Sequence, residues 1–225
     1  MYWSEIFYIL TLVLFVVSLI MSGIVRSRYN KYARQHTANG MTGAMAAERI
    51  LRSNGIGDVT IVQTVGTLTD NYNPTNKTLN LSPAVYGGAD VSAVAVAAHE
   101  CGHAIQHAEA YPLLMLRKAL VPVCQIGSMG SYIAILLGLI FSWSGLITLG
   151  VVLFSGIVLF NLVTLPVEVD ASRRALAEVE RLGLMTDEEL QGGRKVLTAA
   201  GMTYFISLVA SIVQLLRLLS LARRR

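Results

Sequence analysis

Between Ala119 and Val167 the chain carries not one Asp, Glu, Lys or Arg. That is roughly 50 residues, against the ~20 that one helix needs to cross the hydrocarbon core of a bilayer. A single crossing cannot absorb so long an apolar run, so the pattern predicts two crossings joined by a tight turn. Ser142-Trp143-Ser144-Gly145 is the natural place for that turn, and Trp143 suits a membrane interface. A second uncharged run, Ile6 to Val25, is long enough for another crossing. It does not read as a secretory signal, because no basic stretch precedes it and no small-residue cleavage site follows. Composition agrees: 14% of the residues are charged and 54% hydrophobic, where soluble domains carry about 25% charge.

The positive charges are placed as topology determinants. Glu5 precedes the first run, whereas Arg26, Arg28, Lys31 and Arg34 crowd in after it. Arg117 and Lys118 precede the long run, and Arg173 and Arg174 follow it. By the positive-inside rule all of these ends face the cytoplasm. The net charge of +4 therefore points to a lipid bilayer as partner and not to nucleic acid. The two cysteines, Cys101 and Cys124, make no disulfide framework and read as small buried residues in a reducing compartment.

The chemistry is concentrated in VSAVAVAAHECGHAIQH, Val91 to His107, which holds His-Glu-x-x-His inside a stretch that reads as one helix. At 3.6 residues per turn, His99 and His103 fall one turn apart on the same face. Both imidazoles can then reach one zinc ion at about 2.0–2.1 Å. Glu100 flanks that metal without having to bind it, and is placed to take a proton from water, as in a zinc metalloprotease. A lone His on an apolar helix is usually structural. Here two His and a Glu fill every fixed position of the motif, in a segment otherwise nearly free of charge where unpaired ionisable groups are costly. His107 continues the series, but it lies about 12 Å along the axis from His99 and cannot share the ion. It is expected to be a polar residue at the helix end.

The remaining segments are read as support. Met41 to Asn54 predicts a short helix with Thr42 as N-cap and Gly55 as its left-handed stop. VTIVQTV within Asp58–Thr69, and KTLNLS from Lys77 to Ser82, alternate as strands around the turn chemistry of DNYNP, Asp70 to Pro74. The pair predicts a hairpin-like sheet just upstream of the metal helix. Its exposed edge either holds an extended substrate by main-chain hydrogen bonds or only packs on the helix. Thr186 to Glu189 has the capping-box signature of a helix start. Gly201 to Leu216 is apolar but short, and Arg223, Arg224 and Arg225 end the chain. That segment is either an interfacial amphipathic helix or a fourth crossing.

A catalytic zinc usually takes three protein ligands and keeps one position for water. The third should lie on the same side of the membrane. LPVEVDASRRA, Leu165 to Ala175, begins where the last crossing ends, with Pro166 suited to the first turn of a new helix. Of its two acids Glu168 is the first candidate and Asp170 the second.

Three stretches together, NKTLNLSPAVYGG (Asn76 to Gly88), AVAAHECGHAIQH (Ala95 to His107) and TLPVEVDASRRAL (Thr164 to Leu176), resemble the YugP-type membrane zinc metallopeptidases, neutral zinc peptidases of bacteria. The resemblance spans nearly the whole chain. It implies zinc-dependent peptide hydrolysis at a gluzincin-like site, with His99, His103 and Glu168 as ligands and Glu100 as base. The related HtpX-like peptidases carry Glu-x-x-x-Asp, whose Asp supports a ligand His. Here the residue four after Glu168 is Ser172, which makes Asp170 the candidate supporting partner.

The expected fold is a mainly α membrane protein with a small β-sheet, a gluzincin-like metallopeptidase core fused to transmembrane helices. The segments divide into an anchor (1–25), a cytoplasmic core with the sheet and metal helix (26–118), and a transmembrane hairpin (119–165). Cytoplasmic helices carrying the third ligand (166–200) and a membrane-associated or transmembrane C-terminal helix (201–225) follow. The expected function is cleavage of membrane-associated or misfolded proteins at the cytoplasmic face. The rival is a zinc-stabilised scaffold that binds partner proteins without cutting them, which would not need Glu100. Intramembrane proteolysis is disfavoured, since no Leu-Asp-Gly is present and the segment before His99 is only moderately apolar.

Overall fold

The computed structural model describes residues 2–222 and is mainly helical. In chain order the elements are α1 (Tyr2–Tyr32), α2 (Gly43–Ser53), β1 (Thr60–Gln63), β2 (Asn71–Asn73), β3 (Thr78–Leu81), α3 (Pro83–Tyr86), α4 (Val91–Ala108), α5 (Pro112–Ile140), α6 (Ser144–Arg181) and α7 (Asp187–Ala222). Among the described residues, α1, α5, α6 and α7 are long and apolar enough to cross a membrane. The chain divides into two compact units, one formed by residues 1–20, 112–166 and 203–225, the other by 21–111 and 167–202.

In the first unit α5 and α6 form the expected pair. Their connection turns at Phe141–Trp143, where Ser142 takes φ 54°. The helices approach closely at glycine: a Cβ on Gly150 would lie 2.8 Å from the Ser131 carbonyl oxygen. Ile135, Val151, Phe154 and Leu218 form the small buried cluster of this unit.

The second unit holds the larger core, in which α2 and α4 pack through Ala46, Ala47, Ile50, Val94, Ala97, Ala98 and Cys101. Cys101 is buried with its thiol against the Ala47 carbonyl. Local chemistry sets the helix ends as expected. The Thr42 hydroxyl accepts the Met45 N–H at 3.2 Å, and Gly55 takes φ 68° beyond the C-cap of α2. Asp90 caps α4 by accepting the Ala93 N–H at 2.9 Å. At the start of α7, Thr186 and Glu189 exchange the two hydrogen bonds of a capping box. Glu189 also accepts the Ala38 N–H at 2.7 Å, tying α7 to the segment after α1.

Three expectations are corrected. The two expected strands, now β1 and β3, do not form a hairpin with each other. The sheet order is β1-β3-β2, with β1 and β3 parallel and β2 antiparallel to β3. The Asn71–Asn73 part of DNYNP is therefore strand, and the turn is at 74–77. Asp70 accepts the Ser82 N–H and hydroxyl at 2.7 and 3.0 Å, and Glu100 takes the Tyr72 N–H. These long-range bonds hold the segment extended against its turn propensity. Nor does Pro166 begin a helix; it lies inside α6. The hydrogen bond lost at Pro166 is offset by continuous packing beyond it, because Val167, Glu168, Ala171, Ala175 and Val179 are all buried on one face. Finally, Gly201 to Leu216 is not a separate short segment but part of the long α7. Arg223–Arg225 lie outside the described residues.

The face of α6 beyond Pro166 meets α4 with almost no gap. A Cβ on Gly102 would sit 2.4 Å from the Ala171 carbonyl oxygen, which no real contact tolerates. Gly102→Ala must therefore push α6 from α4, at a cost of about 1–3 kcal/mol for overpacking. The expected outcome is a lower unfolding midpoint and a less compact α4–α6 contact, read by thermal denaturation and by hydrogen exchange of the two helices in the purified protein. Unchanged values for both would show that the helices have slack.

Candidate metal centre

Three side chains from two helices converge where α4 and α6 touch. On α4, His99 and His103 lie one turn apart with ring centroids 4.8 Å from each other and their planes nearly perpendicular. Glu168 approaches from α6, with its Oε2 3.2 Å from His99 Nε2 and 3.6 Å from His103 Nε2. The donor atoms of these three residues all lie within 4.8 Å of one another. Glu168 is only 2% exposed. Neither Asp170 nor His107 belongs to the group. Of the two acids offered by the sequence, the structure brings Glu168 to the histidines.

The spacing fits a metal. Two ligands held about 2.0–2.1 Å from a tetrahedral ion are ~3.3 Å apart, close to the two separations between Glu168 and the imidazoles. The donor set also has the right chemistry, two ring nitrogens and one carboxylate, as in catalytic zinc sites that leave a position for water. The far side of each ring is engaged. His99 Nδ1 is 3.1 Å from Ser172 Oγ, and His103 Nδ1 is 3.0 Å from Gln106 Oε1. Such contacts fix ring orientation and leave Nε2 for an ion.

Asp170 takes a different place from the one expected of it. It does not touch a ligand histidine. Its carboxylate accepts from Gln106 Nε2 at 2.9 Å, and from Arg173 and Arg174 at 2.5 Å each. The position four after Glu168, where the HtpX-like pattern has Asp, is Ser172, and its hydroxyl supports His99. Reading the sequence missed Gln106 and Ser172. Their spacing, three after His103 and four after Glu168, was the available signal, but both act across or along helices whose facing was not known.

Glu100 is buried, and its Oε2 accepts the Tyr72 N–H of β2 at 2.9 Å. β2 is an edge of the sheet, so this N–H points away from β3 towards α4. His107, one turn past His103, pairs with the Tyr72 hydroxyl at 2.8 Å through Nδ1. The Tyr72 hydroxyl is thus engaged at the far end of the helix.

Residues 7–223 match the family described as "Putative neutral zinc metallopeptidase", and the chain belongs to that family. It is 43% identical over 193 residues, 86% of each chain, to a Bacillus subtilis (strain 168) protein described as "Putative membrane protease YugP". No solved structure matches the chain. Zinc is the metal that the family description names, and the residues present fit it.

Zinc and a proton compete for the same Nε2 lone pair of His103. Burial pulls the His103 pKa down, but the hydrogen bond and charge of Glu168, with Glu100 adding, carry it above the ordinary 6.5. The proton is therefore kept to higher pH than on a free histidine. Apparent zinc affinity should fall as pH decreases, with the decline already under way above pH 6.5. Competition titrations with a chelating dye across a pH series measure this; an affinity that stays flat down to that value contradicts it.

Proposed function

We propose that the chain is a membrane-bound zinc metalloendopeptidase that cleaves membrane-associated or misfolded proteins at the cytoplasmic face. The observation that carries this reading is the group His99, His103 and Glu168, with Glu100 beside it on the same helix. Bound zinc would polarise a scissile carbonyl and lower the pKa of water to about 7.

The protein's own residues then have distinct tasks. His99, His103 and Glu168 would hold the ion. Glu100 takes a proton from the attacking water and later delivers it to the leaving amine. The Tyr72 N–H anchors one oxygen of that carboxylate, restricting its orientation. An edge of the sheet would pair with the backbone of an extended chain and needs no free terminus, which supports internal cleavage.

The cytoplasmic placement is supported by charge. Arg26, Arg28, Lys31 and Arg34 follow the apolar part of α1, Arg117 and Lys118 lie near the start of α5, and Arg173 and Arg174 lie beyond the apolar part of α6. All three sets sit on the chain ends that lead into the metal-bearing unit. Multiple crossings of a bacterial inner membrane follow from the same pattern.

The discriminating variant is Glu100→Gln, which keeps size and hydrogen bonding but cannot take a proton. It should retain one zinc per chain and lose about 10²–10⁴-fold in peptidase rate. Peptide release from membrane fractions of wild type and variant, with metal content measured in parallel, reads both quantities. Full activity in a zinc-loaded variant would exclude Glu100 as the base, whereas no peptide release by either zinc-loaded protein would favour a binding scaffold.

A further inference from the structure

The hydrogen bonds behind His103 admit only one arrangement of protons. Gln106 is fully buried. Its Nε2 lies 2.9 Å from the Val167 carbonyl oxygen and 2.9 Å from Asp170 Oδ2. A carbonyl oxygen can only accept. So can the carboxylate of Asp170, which faces the guanidinium groups of Arg173 and Arg174. Turning the amide over would set its oxygen against two acceptors in a site closed to water, which is strongly unfavourable. The NH₂ group is therefore committed to Val167 and Asp170, and the amide oxygen must face His103 Nδ1, 3.0 Å away. That oxygen accepts only, so Nδ1 must carry a proton, and Nε2, on the side of Glu168, is the nitrogen left for a metal.

His99 is held differently. Its Nδ1 faces the Ser172 hydroxyl, which both donates and accepts and rotates freely to suit either ring state. One ligand ring is thus locked by its surroundings and the other is adaptable.

We propose that Gln106 is a positioning residue, oriented by Asp170 and the Val167 carbonyl, that dictates which ring nitrogen of His103 is presented to a divalent metal. The inference rests on the zinc reading above and assigns Asp170 a role through Gln106. The signal passes from Asp170 to Gln106 to His103, with a fixed donor and acceptor at each step. Arg174 also pairs with Glu109, just past the end of α4, at 2.6 Å, so the chain of contacts is anchored at both helices.

The test uses the full-length protein, zinc-loaded and labelled with ¹⁵N at its 4 histidines. Long-range proton–nitrogen NMR then reports which nitrogen of each ring bears the proton. His103 should carry it on Nδ1, protected from solvent exchange, with zinc on Nε2. Gln106→Met keeps the shape but removes the amide. It should weaken zinc binding by about 10–100-fold and expose the His103 ring proton to exchange. Ser172→Ala should leave the His103 signal where it is.

Zinc on His103 Nδ1, or wild-type zinc affinity in Gln106→Met, would overturn the relay while leaving the metal centre intact. A spectrum in which no histidine responds to zinc would refute the metal reading and the relay with it. If Gln106→Met does not fold, the wild-type spectrum alone decides.

Discussion

Folding takes the Glu168 carboxylate out of water, to 2% exposure, and sets it against two imidazoles. A buried carboxylate is costly unless it is paired with positive charge or a metal. Much of the second unit can be understood as meeting that requirement. α4 supplies the two rings at one-turn spacing, and Gly102 lets the backbone of α6 come near enough for Glu168 to reach them. α6 runs through Pro166 without a break, which carries Glu168 into the unit on a rigid element. Catalytic groups held on helices are positioned more exactly than groups on loops.

The sheet does a separate job. β2 is short and lies on an edge, yet it is held on both sides. On one side it pairs with β3, with Tyr72 opposite Leu79, and on the other the Tyr72 N–H donates to Glu100. The strand is thereby tied to the same helix that carries the metal ligands.

Much of this was legible in the sequence because the signals were periodic or long. The uncharged run from Ala119 to Val167 gave the pair of long apolar helices α5 and α6 and the turn between them, since length against bilayer thickness leaves few alternatives. The i, i+4 spacing of His99 and His103 gave the shared face, and capping residues Thr42 and Thr186 marked helix starts. What could not be read depended on distant partners. Asn71–Asn73 looked like turn chemistry and became strand because Asp70 and Glu100 hold its flank and its N–H. Pro166 looked like a helix start, but packing along Val167, Ala171 and Ala175 outweighs its local preference. Gln106 and Ser172 were missed because their value lies in the polar atoms they face across the α4–α6 contact. Asp170, expected beside a ligand histidine, instead meets Gln106, Arg173 and Arg174.

The most direct measurement is zinc-edge X-ray absorption on the full-length, metal-loaded protein. The account predicts two imidazole nitrogens, a carboxylate oxygen and one further oxygen, all at about 2.0–2.2 Å. It also predicts that the carboxylate contribution disappears in Glu168→Gln. A sulfur shell near 2.3 Å, or a spectrum without imidazole scattering, would contradict it.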